Sequence, residues 1–358
     1  MHLITDPLRI LLSVLVLLPM AAAAESPVEN CMQITLTGTQ GGPPSTNGLA
    51  GSGTLVQYGK VADECRGVSL QFDVGRATTE RLSQLGMSVN EIDAAFLTHI
   101  HSDHSEGLTA LLQLRWHFLG GDLDVVCSAD TVATTPPPER TISCRSFVEH
   151  AGDAFIAAGE IAQRYAENPK RHPDGPAGIA HVIEVDLPLP EKPGAVVWQS
   201  GDVTVTAIGT VHIAGSLAYR VDTPVGSVVI GGDAGNSKAA PPRASSTSET
   251  VELLAEGATV LVHSSIHPAF APGNGSDFPG PNYLRQSGAT DLGAMAKRAG
   301  IKHLMLTHMI PALGAASHGP YKVPGGPLTA EDFERAARES GFAGKVYVGR
   351  DLMSIRLP

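Results

Sequence analysis

Short apolar and alternating runs divide the chain into strand and helix candidates. The runs predict strands over 32–36, 53–58, 68–75, 94–97, 123–127, 203–208, 216–221, 227–230, 259–262, 303–306 and 346–348. Helical spacing predicts helices over 78–85, 107–116, 291–299 and 329–340. Thr329 is placed to cap the last helix, with Glu331 and Asp332 in its first turn. Two strand-rich halves with helices between them predict an α/β fold, with two sheets inside and helices outside.

Two segments depart from this pattern. Residues 147–167 have helical character and lead into a proline-rich stretch, which predicts a helix-bearing insertion at about 145–195. The insertion is either a lid over a site or an extension without function. The apolar run 10–24 is short for a bilayer and ends in small residues, which predicts a signal peptide over 1–24. An uncleaved membrane anchor is the alternative.

The amino-acid composition limits the classes of protein to which the chain can belong. The chain has 358 residues, of which 42% are hydrophobic and 17% are charged, so residues 25–358 can form a single domain with a sizeable core. Four cysteines in an exported chain favour disulfides. Three pairings are possible, and proximity in the sequence favours Cys31–Cys65 and Cys127–Cys144. Free buried thiols are the alternative. The expected location is periplasmic or secreted.

The run from His99 to His104 carries the clearest chemistry. It places three imidazoles and a carboxylate in six residues after an apolar run, and these are zinc-type ligands. One metal rarely takes four groups from one turn, so His99 and His101 are assigned to one ion, and Asp103 and His104 to a second. Three more ligand candidates each follow an apolar strand: His212, Asp233 and His308. His212 completes the first set, His308 completes the second, and Asp233 has two oxygens with which to bridge them.

With these motifs the chain resembles the metallo-β-lactamase fold superfamily, and within it the branch of ribonuclease Z, periplasmic arylsulfatases and related phosphodiesterases. The resemblance covers most of residues 32–355 and rests on 36–39, 72–76, 96–104, 211–212 with 219–220, 231–233 and 306–308. It implies an αββα sandwich of two mixed sheets with helices on the outside and metals at one edge of the sheets.

The chain departs from ribonuclease Z at three places. Arg285-Gln286-Ser287-Gly288 stands where that family has a His-Ser-Thr motif, and His263-Ser264 stands where it has a His-Glu pair. Only 20 residues separate His212 from Asp233, which leaves no room for a tRNA-gripping insertion. The net charge of −11 also disfavours a phosphate-backbone partner. The expected partner is therefore a small-molecule ester and no nucleic acid. No stable membrane insertion is expected after signal cleavage, and a homodimer is left open.

These observations predict an exported dinuclear zinc hydrolase with two Zn²⁺ ions per chain, Mn or Fe being alternatives. A metal-bound hydroxide would attack a small phosphodiester or aryl sulfate ester. The predicted catalytic residues are Asp103, His263 and His267, where either histidine is a candidate proton donor to the leaving group. Asp73 is predicted to orient a ligand histidine from outside the ligand set. A lactonase or β-lactamase-type acyl hydrolase is the alternative, and a non-catalytic metal-binding protein is a third.

Overall fold

The computed structural model describes residues 30–129, 131–132, 141–156, 158–186, 194–235 and 247–358. The predicted signal peptide over 1–24 lies outside these ranges. Within them no helix is long and apolar enough to span a bilayer.

Strands and helices alternate along the described chain. The strands are β1 (Asn30–Gly38), β2 (Gly53–Lys60), β3 (Val68–Phe72), β4 (Ala94–Phe96), β5 (Leu123–Ser128), β6 (Thr131–Val132), β7 (Thr141–Ile142), β8 (Ala180–Val185), β9 (Ala195–Ser200), β10 (Val203–Gly209), β11 (Leu217–Thr223), β12 (Gly226–Ile230), β13 (Val260–Ile266), β14 (His303–Ile310), β15 (Ser317–His318), β16 (Tyr321–Lys322), β17 (Lys345–Val348) and β18 (Ser354–Leu357). The helices are α1 (Thr78–Gln84), α2 (Ser102–Ser105), α3 (Leu108–His117), α4 (Cys144–Gly152), α5 (Glu160–Glu167), α6 (Glu249–Ala255), α7 (Gly280–Leu284), α8 (Ala289–Arg298) and α9 (Ala330–Arg338).

Most strands form two mixed seven-stranded sheets. The first has the order β18-β1-β2-β3-β4-β5-β8, and the second has the order β17-β14-β13-β12-β11-β10-β9. In the first sheet β3, β4, β5 and β8 are mutually parallel. In the second sheet β12, β13, β14 and β17 are mutually parallel. The remaining neighbours in both sheets are antiparallel.

The apolar core lies in three layers. Between the sheets, Phe72 stacks on Phe96 with ring centroids 4.6 Å apart, and Tyr219 of the second sheet meets Phe96 at 5.4 Å. On the outer face of the first sheet, α1, α3 and α4 contribute buried side chains such as Leu82. On the outer face of the second sheet, α6, α8 and α9 do the same, with Phe333 fully buried. The predicted αββα sandwich is confirmed.

Several predicted elements are confirmed with extended bounds. The strands predicted over 259–262 and 303–306 run on as β13 and β14 through polar residues, because these two strands pair in parallel along their length and are buried. Thr329 and Asp332 form a reciprocal capping box at the start of α9, as the sequence indicates. The favoured cysteine pairing is also confirmed, since Cys31 bonds Cys65 and Cys127 bonds Cys144.

The segment at about 145–195 differs from its prediction. The helical character predicted over 147–167 corresponds to two short helices, α4 and α5. A proline-rich loop was predicted to follow, whereas β8 lies within it and pairs in parallel with β5 at the edge of the first sheet. Alternation over only six residues, flanked by prolines and glycines, gave too weak a strand signal.

Candidate metal centre

The His-rich loop, residues 97–104, begins where β4 ends and is held by the second sheet. The Tyr219 hydroxyl donates to the Leu97 carbonyl at 2.7 Å, and the Leu217 amide donates to the Thr98 carbonyl at 2.7 Å. The loop then turns into the single-turn helix α2, which carries Asp103 and His104. Both of these side chains are buried, and His99 is buried as well. The two sheets thus fix the first four ligand candidates together.

The first predicted set of ligands comes together around His101. The Nδ1 atom of His101 lies 3.0 Å from Nε2 of His99 and 3.3 Å from Nε2 of His212. Each imidazole carries at most one proton on each nitrogen, and these nitrogens face one another, so a shared cation suits the arrangement better than a hydrogen-bond chain. The three residues form one of the groups whose ligand atoms all lie within 4.8 Å of each other.

The second predicted set comes together around Asp103. Its Oδ2 atom lies 3.0 Å from Nε2 of His308 and 3.6 Å from Nε2 of His104. These three residues form another compact group of ligand atoms. Burial raises the pKa of the Asp103 carboxyl, but the hydrogen bond from His308 and the charge of His104 outweigh burial and lower it to about 2. Asp103 is therefore ionised at neutral pH and suited to hold a cation.

Asp233 lies between the two sets. Its Oδ1 atom is 3.3 Å from Nδ1 of His308 and 3.7 Å from Nε2 of His104, and its Oδ2 atom is 3.7 Å from Nε2 of His212. One carboxylate oxygen thus faces the second set, and the other faces the first. Gly232 makes this approach possible, because it has a φ of +58° and a Cβ there would meet Thr98 at 2.7 Å.

Buried polar atoms of this group lack hydrogen-bond partners within the described chain. They are Nε2 of His104, Oδ1 of Asp233 and Nδ1 of His308. Such atoms are rare in folded proteins, since leaving one unpaired costs about 1–3 kcal/mol. Imidazole nitrogens and carboxylate oxygens that converge without partners are the donor set that zinc and similar divalent ions take. The residues present therefore fit the metal ions that the sequence implies.

Asp73 supports the ligands from beneath. Its Oδ2 atom accepts from Nδ1 of His104 at 2.7 Å and from the Thr98 hydroxyl at 3.0 Å, while Oδ1 accepts from the Thr98 amide at 2.8 Å. With the Nδ1 proton of His104 engaged, its Nε2 is left for a metal. Asp73 has a φ of +55°, a left-handed conformation that aspartate tolerates better than most residues. This placement agrees with the predicted orienting role.

Burial and the charges of neighbouring side chains shift the pKa values of the candidate ligand histidines. Burial, then the neighbouring His104 and His212, lower the pKa of His99 well below its ordinary value. Burial also lowers the pKa of His212 to about 4. For His104, burial acts in the same direction, but the carboxylates of Asp73 and Asp233 outweigh it and raise the pKa. Neutral rings at His99 and His212 are the form that binds a metal ion.

The segment from Arg285 to Ser287, called the 285–287 segment below, touches both sides of the cluster. The Arg285 carbonyl accepts from Nδ1 of His212 at 3.2 Å, and Nε2 of Gln286 donates to Oδ2 of Asp233 at 3.2 Å. The Ser287 hydroxyl donates to the Ala234 carbonyl. In the sequence, this stretch is notable only because it differs from ribonuclease Z. It stands where that family has its His-Ser-Thr motif, and this position is the feature that could have predicted contacts with the site.

A cavity of about 430 Å³ opens onto the cluster. His101, Asp103, His212, Asp233 and His308 line one side of it. Phe278, His318 and Tyr321 line another part, with the Phe278 ring 5.2 Å from Tyr321 and 6.1 Å from His318. Within the described residues, nothing from the predicted insertion at 145–195 lines this cavity. The lid hypothesis for that segment therefore gains no support.

The two predicted proton donors do not line this cavity. His263 is fully buried behind the cluster, where a Cβ on Gly231 would lie 2.2 Å from its ring, and its Nδ1 donates to the Ser264 carbonyl. His267 turns towards α9, where its ring packs 5.0 Å from Phe333. Its Nδ1 accepts from the Ala269 amide and caps a short helical turn. The structure therefore does not bring either histidine to the place that was predicted for a proton donor.

Comparison with known proteins places this geometry in context. A family described as "Anti-Pycsar protein Apyc1" matches residues 61–132. Ribonuclease Z from Mycobacterium sp. (strain KMS) is 27% identical over 334 residues, which cover 91% of this chain and 96% of the relative. Ribonuclease Z from Mycobacterium avium (strain 104) is 28% identical over 332 residues, with 91% and 98% covered.

Solved structures agree on the fold. The metallo-β-lactamase fold protein YhfI from Bacillus subtilis aligns with a TM-score of 0.59 at 18% identity, covering 92% of this chain and all of YhfI. The short form of human tRNase Z aligns with a TM-score of 0.57 at 17% identity, covering 91% and 99%. Zn²⁺-bound PqqB from Methylobacterium extorquens aligns with a TM-score of 0.52 at 10% identity, covering 90% and 99%. The chain has the metallo-β-lactamase fold, and its resemblance to the ribonuclease Z branch is confirmed.

The prediction of no nucleic-acid partner is wrong. Proteins that match 91% of this chain are named ribonuclease Z, an enzyme class that acts on RNA. The error has a physical reason, because the net charge sums over the whole surface whereas a substrate meets the local field of the cavity. The cavity is lined by histidines and Arg285 as well as by two carboxylates, so its local charge does not follow from the net charge of −11.

Proposed function

We propose that this chain, which has the metallo-β-lactamase fold, is a metal-dependent hydrolase that cleaves phosphodiester bonds with two divalent ions, zinc in the first instance. The observation that carries the proposal is Asp233, whose two oxygens face the two three-residue ligand sets. It also forms a compact group with His99 and His104, one residue from each set. The match to ribonuclease Z over 91% of the chain supports a phosphodiester as substrate, with RNA included among the candidates.

Each ligand candidate has a role in this proposal. His99, His101 and His212 would hold the first ion, Asp103, His104 and His308 the second, and Asp233 both. When bound, the ions lower the pKa of a water to about 7 and stabilise the charge that develops on the phosphoryl oxygens. Ionised Asp103 keeps its charge at neutral pH for the second ion.

The surrounding residues fix this arrangement in advance. Asp73 holds the Nδ1 proton of His104, and the Arg285 carbonyl accepts from Nδ1 of His212, so that both rings turn Nε2 towards the cavity. Gln286 donates to Oδ2 of Asp233 and restricts rotation of the bridging carboxylate. A site held on strand ends and backbone carbonyls in this way does not need to reorganise during the reaction.

A substrate panel on zinc-loaded protein tests the reaction. The panel comprises bis(p-nitrophenyl) phosphate, a tRNA precursor with a 3′ trailer, p-nitrophenyl sulfate and an aliphatic lactone. We expect hydrolysis of at least one phosphodiester. In Asp103→Ala the rate of that hydrolysis should fall about 10³-fold or more, because one ligand set is broken. Asp174→Ala, at a carboxylate 81% exposed in a loop, is the matched control and retains activity. Lactone opening without phosphodiester cleavage selects an acyl hydrolase and overturns the proposal.

Metal analysis tests the dinuclear assignment separately from turnover. We expect two zinc ions per wild-type chain by elemental analysis after removal of loose metal. Asp233→Asn removes the charge shared by both sets and is expected to lower occupancy at both. His212→Ala touches only the first set and is expected to leave about one ion. Loss of a single ion in both variants would contradict a bridging Asp233.

We propose further that the protein works in the periplasm or outside the cell. The apolar run over 10–24 and the two disulfides support this location, because disulfides persist in oxidising compartments. Fractionation of cells that express the full chain, with N-terminal sequencing of the mature protein, tests it. Cleavage near Ala24 and recovery outside the cytoplasm are expected, and an intact N-terminus in the cytoplasmic fraction would contradict it.

A further inference from the structure

Arg285 is the one permanently cationic side chain among the described residues that line the cavity. Its side chain is exposed, as expected for a group at the cavity mouth. The other titratable side chains on the wall are histidines, the phenol of Tyr321 and the carboxylates of Asp103 and Asp233. A fixed positive charge at this place therefore adds to the attraction that an anion experiences in the cavity.

The backbone below this side chain is held rigidly. The Arg285 carbonyl accepts from His212, and Gln286 donates to Asp233, so the 285–287 segment is bonded to a ligand of the first set and to the bridging candidate. The segment is also closely packed, since a Cβ on Gly235 would lie 2.6 Å from the Arg285 backbone. The guanidinium therefore extends from a point that is fixed relative to the metal sets.

Two arginines in the first half of the chain are paired with carboxylates. Arg76 pairs with Glu106 at 3.1 Å, and Arg81 pairs with Asp351 at 2.9 Å. Within the described part of the chain, no carboxylate pairs with the Arg285 guanidinium, although two carboxylates share its cavity. The guanidinium thus keeps its hydrogen-bond donors for a group that enters the cavity.

We propose that the Arg285 guanidinium binds a non-bridging oxygen of the substrate, and that it selects anionic diesters over neutral esters. This inference rests on the proposed function of the site. The planar guanidinium offers paired N–H donors that match two oxygens of a phosphate, whereas lysine offers a point charge. A neutral ester lacks the negative charge that makes such hydrogen bonds strong.

Two substrates with the same leaving group separate charge recognition from catalysis. Bis(p-nitrophenyl) phosphate is an anionic diester, and its methyl ester is the matched neutral triester. For Arg285→Gln we expect kcat/KM on the diester to fall about 10- to 100-fold, mainly through KM, with the triester rate nearly unchanged. Arg285→Lys is expected to lie between wild type and Arg285→Gln. Arg335→Gln, at a side chain 67% exposed on α9, is the matched control and changes neither rate.

A binding measurement makes the test independent of turnover. Dimethyl phosphate is titrated calorimetrically into zinc-loaded wild type and Arg285→Gln, with trimethyl phosphate as the neutral counterpart. We expect Arg285→Gln to weaken binding of dimethyl phosphate about tenfold or more. Equal losses on charged and neutral compounds, or no loss on either, would overturn the inference.

The two proposals fail in different ways. If wild type binds dimethyl phosphate through Arg285 but cleaves no phosphodiester, the proposed function falls and the binding role stands. If wild type cleaves phosphodiesters and Arg285→Gln does so equally well, the role of Arg285 falls and the proposed function stands. Circular dichroism of Arg285→Gln checks the fold, which we expect to be retained because the side chain is exposed and the backbone supplies the structural bonds.

Discussion

Asp73 shows how one side chain can organise several others. Its carboxylate accepts from the Thr98 amide, from the Thr98 hydroxyl and from His104, so it fixes both the start of the His-rich loop and the orientation of a ligand ring. Its left-handed backbone, with a φ of +55°, is maintained by these bonds. A conformation of this kind at a functional position is kept because the surrounding contacts outweigh its cost.

Replacing Asp73 with asparagine should weaken metal binding without unfolding the chain. Asparagine has the same shape and tolerates the left-handed conformation, but it lacks the charge that favours an Nδ1 proton on His104. We expect the dissociation constant for zinc to rise about 10- to 100-fold, measured by competition with a chromogenic chelator. Ser52→Ala, which removes only the 3.3 Å hydrogen bond to Asp73, is the control and should have a smaller effect. Equal affinity in Asp73→Asn and wild type would contradict the orienting role.

His263 should make stability depend on pH. Burial lowers its pKa to about 4 in the folded chain, against about 6.5 in the unfolded chain. Between these values the unfolded chain binds more protons, so stability is full above about pH 6.5 and falls as the pH drops towards 4. The loss for this group is on the order of 3 kcal/mol. His263→Asn, which can still donate to the Ser264 carbonyl, should lose less stability over this range in urea unfolding of metal-free protein.

The exposed His150 on α4 provides the matched control for that experiment. His150→Gln should follow the wild-type pH profile, because the substitution lies at an exposed position and leaves His263 and its surroundings unchanged. If His263→Asn and wild type lose the same free energy of unfolding between pH 6.5 and pH 4, His263 does not remain neutral in the folded protein.

At the level of elements, each disulfide ties a core strand to a neighbouring segment. Cys127 is the fifth residue of β5, and Cys144 is the first residue of α4, so their bond secures the helix that covers this end of the first sheet. Cys127 and Cys144 also lie beside His99, since all three line one small void. The Cys127–Cys144 disulfide therefore stabilises the position of α4 beside the first ligand set.

Removing this tether should destabilise the fold more than it changes the chemistry. The bond closes a loop with a sequence separation of 17, for which the chain-entropy relation gives about 3 kcal/mol. We expect Cys127→Ser/Cys144→Ser to lose roughly that free energy of unfolding in guanidinium, with metal content unchanged under native conditions. Reductant breaks both disulfides of wild type. Its free energy of unfolding should therefore fall at least to that of the variant, and further because the Cys31–Cys65 bond is also lost. A variant as stable as oxidised wild type would contradict the prediction.

At the level of the whole molecule, the candidate site joins the two sheets. The His-rich loop follows β4 of the first sheet, while His212, Asp233 and His308 belong to the second sheet or follow its strands. Each ligand set therefore takes groups from both sheets. An ion bound to either set links the two halves of the sandwich, in addition to the apolar layer around Phe72, Phe96 and Tyr219.

Zinc should therefore stabilise the folded chain as a whole. Ions that bind the native state and not the unfolded state add about 4 kcal/mol at a free concentration of 1,000 times the dissociation constant. We expect the thermal midpoint to fall when zinc is removed with a chelator and to recover when zinc is restored. In Asp233→Asn, the thermal midpoints of the zinc-free and zinc-loaded protein should differ much less. An identical midpoint with and without zinc in wild type would show that the ligand sets do not hold metal.

The sequence alone predicted the fold and the set of residues that converge. Ligand types, their spacing in the His-rich loop and their positions after apolar strands are local features, and they were enough to predict seven residues that lie close together in the structure. The same local reasoning paired the cysteines. Local reasoning could not predict which way a side chain faces on a strand that is buried on both faces, because such strands show no alternation of polar and apolar residues.

Only the tertiary structure decided the remaining questions about the site. His263 in β13 and His308 in β14 are both buried and both follow apolar runs, yet one packs behind the cluster and the other faces Asp103. Arg285 reaches His212 across 73 residues of sequence, a contact set by how α7 and the following turn pack on the second sheet. The sequence determined which chemistry the chain carries, because ligand identity is local. The packing of the two sheets decided which residues share the cavity, because that depends on contacts distant along the chain.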